Sequence, residues 1–334
     1  MTTPLLQVQQ LQVGFDTESG LLRAVDGVSF ELAQAQTLGV VGESGCGKSV
    51  TASSIMRLVP SPPGRILGGK ILLQGQDILQ MPAEALPQLR GREVAMIFQD
   101  PMTSLNPVFT IERQMSEVLT MRFALDRSAA RERAAQMLQT VGIADAQSRL
   151  DVYPHELSGG MKQRVMIAMA LMCEPKVLIA DEPTTALDVT VQAQILHLMR
   201  ELQQRMRTAL LFITHDMGVI ADMCDSVVVM YAGKVVERRS TVALFEAPRH
   251  PYSRGLLNSM PRKGVGHKAR LPTIEGTVPS LMHMQAGCRF ADRCVHCLSL
   301  DAQSQSRCKR EDPALVPDED GWVACHFPLE VSAA

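Results

Sequence analysis

No apolar run in this chain approaches the roughly 18 residues that a membrane-spanning helix requires. The opening residues, Met1-Thr2-Thr3-Pro4-Leu5-Leu6, lack the basic-then-apolar order of a secretory signal. Charge of one sign is scarce as well. With 33 Lys and Arg against 35 Asp and Glu, the formal net charge is −2, so there is no basic surplus to draw the chain onto a nucleic-acid backbone. These absences predict a cytosolic chain that binds no nucleic acid and meets a membrane only through partners.

A disulfide framework is not expected of a cytosolic chain, although it holds 8 cysteines. Cys46, Cys173 and Cys224 are scattered and read as small buried residues. Cys288, Cys294, Cys297, Cys308 and Cys325 crowd the C-terminal end and call for a separate account. At 334 residues, 46% hydrophobic and 20% charged, the chain has room for one large α/β domain and a smaller one.

The stretch Val40-Val41-Gly42-Glu43-Ser44-Gly45-Cys46-Gly47-Lys48-Ser49 organises the rest. Gly42, four residues, then Gly47-Lys48-Ser49 is the spacing of a phosphate-binding loop between an apolar strand and a helix-like Val50–Leu58. Glycines let backbone approach a phosphate closely, and the turn aims N–H groups and a helix N-terminus at the anion. Lys48 can bridge the β- and γ-phosphates, and the Ser49 hydroxyl can bind Mg²⁺.

Alternation over residues 5 to 33 predicts antiparallel strands joined by an Asp16–Gly20 turn. Phe15 in that sheet could stack on a base, or be a core or edge phenylalanine. A strand is expected over Gly69–Leu73, and another over Glu93–Phe98 running into Gln99. Gln99 then reads as a strand-end metal or water contact, or as a surface glutamine. Apolar positions at helical spacing over Glu112–Phe123 and Ser128–Val141, stopped by Gly142, predict a helical insertion.

Ser158-Gly159-Gly160 opens a helix-like Val165–Leu171, as an anion-binding turn or a plain N-cap. Val177–Ala180 predicts a buried strand ending in Asp181-Glu182, two carboxylates that are costly to bury unless they meet a cation or do chemistry. Asp181 suits a Mg²⁺ shell, and Glu182 can orient or deprotonate a water. A last strand, Ala209–Thr214, ends at His215.

Phosphate loop, Gln99, Ser158-Gly159-Gly160, Asp181-Glu182, Ala186-Leu187-Asp188 and His215 follow one another in an order that resembles the nucleotide-binding subunit of ATP-binding-cassette (ABC) transporters. Phe98–Pro107, Ala180–Asp188, Pro248-Arg249-His250-Pro251-Tyr252 and Leu271–Pro279 are similar to the oligopeptide/dipeptide importer ATPases in particular.

The resemblance implies an α/β fold: an ABC-type P-loop domain over 1–245, with a RecA-like core, an antiparallel β subdomain and a helical subdomain at about 100–158. A Cys-rich extension follows over 246–334. It also implies head-to-tail pairing with a second ABC ATPase, most often a different chain. ATP and Mg²⁺ at Gly42–Ser49 of one subunit are then completed by Ser158, Gly159 and Gly160 of the other. Glu182 would be the base, His215 a γ-phosphate contact and Asp188 a communicator across the dimer. Gln99 would link γ-phosphate and Mg²⁺ to the membrane partners, and Phe15 would stack on adenine. Met161 stands where many ABC proteins carry glutamine.

The implied function is the ATP-hydrolysing motor of a peptide importer, with two permeases and an extracytoplasmic binding protein, at the cytoplasmic face of the inner membrane. Alternatives are a soluble ABC ATPase, a metal-cluster sensor that uses ATP binding as a switch, or an importer of nickel, glutathione or modified peptides. The tail resembles relatives that hold a [4Fe–4S] cluster, the matching residues being Cys288, Cys294, Cys308 and Cys325. Cys297 opens a rival zinc set, Cys294, Cys297, Cys308 and Cys325, and five metal-free thiols are the third reading.

Overall fold

The structure, a computed structural model, describes residues 4–99, 104–185, 187–260, 272–282, 284 and 286–330. Along the chain, strands β1 (Leu6–Thr17), β2 (Gly20–Leu32) and β3 (Thr37–Val41) lead into helix α1 (Lys48–Ile55). Strands β4 (Gly64–Leu73), β5 (Gln76–Asp77) and β6 (Val94–Ile97) come before helices α2 (Ile111–Phe123), α3 (Arg127–Thr140) and α4 (Gly159–Leu171). Then follow β7 (Val177–Asp181), α5 (Val189–Met206), β8 (Ala209–Thr214), α6 (Met217–Met223), β9 (Ser226–Tyr231), β10 (Lys234–Ser240) and α7 (Pro251–Asn258). Helices α8 (Val295–Leu298) and α9 (Ala302–Arg310) and strands β11 (Val316–Asp318) and β12 (Gly321–Val323) end it.

Two compact units share these elements. The first comprises Met1–Leu32, Thr37–Leu79 and Ile213–Ala334, so the C-terminal segment belongs with the phosphate loop. Its antiparallel sheet runs β2–β1–β4–β5, and the expected turn brings Thr17 opposite Gly20. Alternation has its physical effect here: Leu6, Val8, Leu11 and Val13 are buried, while Gln9, Gln10 and Asp16 face water. A second set of strands in this unit runs β11–β12–β10–β9–β3, with β3 and β9 parallel. Every residue of β3 is buried, which explains the apolar run Leu38–Val41.

The second unit comprises Ala33–Gln36 and Gln80–Phe212. Its strands run β8–β7–β6, with β6 and β7 parallel and β7 wholly buried. The expected helical insertion is present as α2 and α3. Thr110 caps α2 and Asp126 caps α3, and Met115, Leu119, Ala134 and Leu138 form their buried faces. Gly142 follows α3 with φ +77°, a helix stop that favours glycine. No helix among the described residues is long and apolar enough to cross a membrane.

Candidate functional site

In the first unit, β3 delivers the phosphate loop and α1 leaves it. A Cβ at Gly42 would lie 2.1 Å from the Met230 carbonyl oxygen, and Gly47 holds φ +97° with the Ala24 oxygen 2.5 Å from where its Cβ would be. Both positions are closed to larger residues. Gly47 supplies no side-chain cap to α1, whose N-terminal end is electrostatically suited to an anion. The buried Lys48 ammonium donates to the carbonyls of Gly42 (2.8 Å) and Glu43 (3.2 Å). Ser44, Gly45 and Ser49 are exposed on the loop. Cys46 is buried beneath it, and burial pushes its thiol pKa up against the opposing pull of Lys48.

The Glu43 side chain does not face a phosphate. Its carboxylate takes a two-pronged ion pair from Arg293, with Nη1 at 2.6 Å and Nη2 at 3.0 Å, and its backbone N–H donates to the Tyr252 hydroxyl at 2.9 Å. Phe15 is half-buried on β1, opposite Leu22 and Gly64, with its ring edge 2.9 Å from where a Gly64 Cβ would sit. His215 is exposed just past β8, and the next residue, Asp216, caps α6.

In the second unit, parallel β6 and β7 end side by side and present Gln99 and Glu182 together: Gln99 Nε2 donates to Glu182 Oε2 at 3.2 Å. Thr185 Oγ1 donates to the same oxygen at 3.1 Å. Glu182 holds φ +47°, an unusual backbone for a carboxylate residue and one that gathers at working sites. Asp181 beside it is buried at 5% exposure. Ser158 caps α4 by accepting from the Met161 N–H, and Ser158 and Gly159 are exposed. A Cβ at Gly160 would press 2.8 Å from Val191 Cγ1, so that glycine serves packing between α4 and α5. Asp188 caps α5, accepting from Thr190 and Val191 N–H groups. Asp100 to Thr103, Ala186 and Leu271, which carry parts of the quoted motifs, lie outside the described residues.

The C-terminal segment is tied into the first unit by strand pairing and charge. β12 pairs with β10, and β11 pairs with β12. Asp318 accepts from Arg239 at 2.7 Å and from Arg249 at 2.9 Å, with Arg239 almost fully buried. Glu237 is completely buried and accepts from the N–H groups of Arg249 and His250.

The five late cysteines line one cavity of about 20 Å³, room for about one water. Burial pushes the Cys288 thiol pKa up, that of Cys294 to about 11, and those of Cys308 and Cys325 to about 12. Among the described residues no group of three or more His, Cys, Asp or Glu side chains is placed to hold a metal ion. The expected [4Fe–4S] ligands Cys288, Cys294, Cys308 and Cys325, and the rival zinc set with Cys297, share this cavity but gain no support as a metal centre from it.

Sequence reasoning missed Arg293, Tyr231 and Tyr252 as neighbours of the phosphate loop. Tyr252 stands in a quoted motif, but nothing local ties it to Glu43, which lies 209 residues earlier.

A phosphate loop on β3 and α1 in one unit, with strand-end carboxylates and a Ser-Gly-Gly helix cap in the other, defines the nucleotide-binding subunit of the ABC class. The ABC transporter family model matches residues 25–185, and that of the oligopeptide/dipeptide transporter C-terminal region matches 236–299. The chain is 49% identical to a probable peptide ABC transporter ATP-binding protein of Sinorhizobium fredii, over 96% of this chain and 93% of that one. It is 48% identical to the dipeptide transport ATP-binding protein DppD of Escherichia coli, over 98% of this chain and 97% of that one. It is also 48% identical to the oligopeptide transport ATP-binding protein OppD of Bacillus subtilis, over 91% of this chain and 85% of that one. The chain belongs to this family of ATP-binding proteins of peptide ABC transporters. Its fold matches that of the ATP-binding cassette MJ0796, solved bound to ADP and Pi, with TM-score 0.63 and 23% identity over 71% of this chain and 98% of that one.

Proposed function

We propose that this chain is the ATP-hydrolysing motor subunit of an importer for dipeptides or oligopeptides. The observation that carries the reading is the Gln99–Glu182 pair at the ends of β6 and β7, in a chain that also holds a complete phosphate loop. A pure binding module needs no strand-end carboxylate held by two donors. Near-full-length identity to dipeptide and oligopeptide transport proteins supports the cargo class over a soluble ATPase, or over nickel or glutathione import.

In this reading Lys48 and the loop amides of Gly42 to Ser49 take the β- and γ-phosphates, and Phe15 stacks on adenine. Ser49, Asp181 and Gln99 would hold Mg²⁺, which would supply charge neutralisation of the phosphates. Glu182, oriented by Gln99 and Thr185, aligns and deprotonates the attacking water, and His215 contacts the γ-phosphate. Ser158, Gly159 and Gly160 of one subunit complete the ATP site of a second, different ATPase, and Asp188 couples the two. Neither half-site stabilises the triphosphate fully alone, so ATP closes the pair and hydrolysis opens it. Gln99 passes that change to two permeases fed by an extracytoplasmic binding protein. Residues 1–245 form the cassette, with its helical subdomain at about 100–158, and residues 246–334 the extension. The chain is held at the cytoplasmic face of the inner membrane by its permeases.

The test is to isolate the chain from gently solubilised membranes and identify what accompanies it. Two hydrophobic permeases and a second cassette are expected. A chain found only with soluble companions overturns the transport reading.

A further inference from the structure

We infer that Arg293, in the C-terminal extension, is a positioning residue for the phosphate loop and acts on it through Glu43. Glu43 is held at three points. Arg293 grips its carboxylate with both terminal nitrogens, the Tyr252 hydroxyl accepts from its N–H, and its carbonyl accepts from Lys48 Nζ. The first two contacts come from the segment after residue 245, and the third is the loop's own lysine.

The geometry is that of a fixed clamp. Arg293 Nε donates to the Glu275 carbonyl at 2.9 Å. Nη2 also reaches the carbonyls of Ile274 and Gly276, and Nη1 reaches the Tyr231 hydroxyl at 3.2 Å. A guanidinium has five N–H donors in a rigid fork, and here each nitrogen has a partner, so the group cannot swing without breaking several bonds. Its side chain is 7% exposed against 30% for Glu43, which places the pair out of reach of most salt screening.

A carboxylate in this position would otherwise stand beside the site of a triphosphate and repel it. The two-pronged pair neutralises that charge and fixes the backbone whose carbonyl and N–H groups set the loop. A loop ordered before the ligand arrives loses less entropy on binding, so affinity rises without any new contact to the nucleotide. The next residue, Cys294, lines the thiol cavity, so the clamp and the cysteine core form one continuous structure. The extension thus acts as a brace for the ATP site.

This inference rests on Gly42–Ser49 being the ATP phosphate site. The experiment measures steady-state ATP hydrolysis by the full chain, purified with the proteins that accompany it, and fluorescent-ATP binding to the same preparation. Arg293→Ala and Glu43→Gln should each raise the ATP KM about tenfold with kcat kept within about twofold, the pattern of lost ground-state positioning. The double variant should be no worse than either single one, because the two groups act as one unit. Arg293→Lys, which keeps the charge and loses the fork, should recover about a third of the loss. An unchanged KM in Glu43→Gln, or additive effects in the double variant, overturns the inference. Lys48→Ala run in parallel separates the two levels. If it binds ATP like wild type, the phosphate-site reading fails; if it loses ATP while Glu43→Gln does not, only the role of Arg293 fails.

Discussion

Gln99 and Glu182, 83 residues apart in sequence, share a 3.2 Å hydrogen bond at the adjacent ends of two parallel strands. The bond, with that from Thr185, fixes one oxygen of the Glu182 carboxylate. Glu182→Gln keeps the shape and removes the proposed base, so ATP turnover should fall by about a hundredfold or more while ATP binding persists. Measuring kcat beside fluorescent-ATP affinity checks this, and wild-type turnover in the variant would remove Glu182 from the role of base.

The phosphate loop offers a matched pair of glycine substitutions. Gly47→Ala sets a Cβ 2.5 Å from a backbone oxygen at φ +97°, so the loop must shift, at a cost of about 1–3 kcal/mol, and ATP affinity should drop with it. Gly45 holds φ +78° but has open space around its Cβ position, so Gly45→Ala should cost about 1 kcal/mol and leave most of the affinity. Equal effects in the two variants would show that steric closure is not what the loop demands.

Asp318 joins β11 to two arginines, one of them 2% exposed. Asp318→Ala strands the buried Arg239 charge against Glu237 alone, a loss of about 3–5 kcal/mol by the usual measure of a broken buried pair. Trp322, the only tryptophan of the chain, lies in the paired hairpin and reports locally on this region. Its emission in a urea titration should shift to lower urea in the variant, whereas an unmoved midpoint would assign the anchoring to strand pairing.

The extension should be most stable between about pH 6.5 and pH 9. His250 is wholly buried, and desolvation lowers its pKa from 6.5 to about 3. Below pH 6.5 the unfolded chain therefore takes up a proton that the folded one refuses, and stability falls with falling pH. The thiols of Cys294, Cys308 and Cys325 are raised from 9.0 to about 11 or 12, chiefly by burial. Above pH 9 the unfolded chain releases protons that the folded one keeps, and stability falls again. Trp322 emission followed in urea from pH 4 to pH 10.5 tests both limbs. A flat profile would mean that these groups stay hydrated in the folded state.

Most of the fold was legible because its signals are local. The helix over Arg127–Thr140 announces itself by apolar positions at helical spacing and the stop at Gly142, and the buried strand over Val177–Asp181 by the apolar run Val177–Ala180. The cysteines were legible as a cluster but not as chemistry. Spacing brought them to one place, while the size of the cavity they enclose depends on how Phe290, His250 and α9 pack around it. Gly160 shows the same limit: its motif suggested an anion turn, and its close contact is with Val191 of α5.

The sequence by itself determined the phosphate loop, the strand-end carboxylates and the family, because each is a short run whose chemistry needs only neighbouring residues. Tertiary structure alone decided that Arg293 grips Glu43 across 250 residues and that five cysteines line one small cavity. A side-chain fork finds its carboxylate only after the chain between them has folded, and no local preference records that meeting.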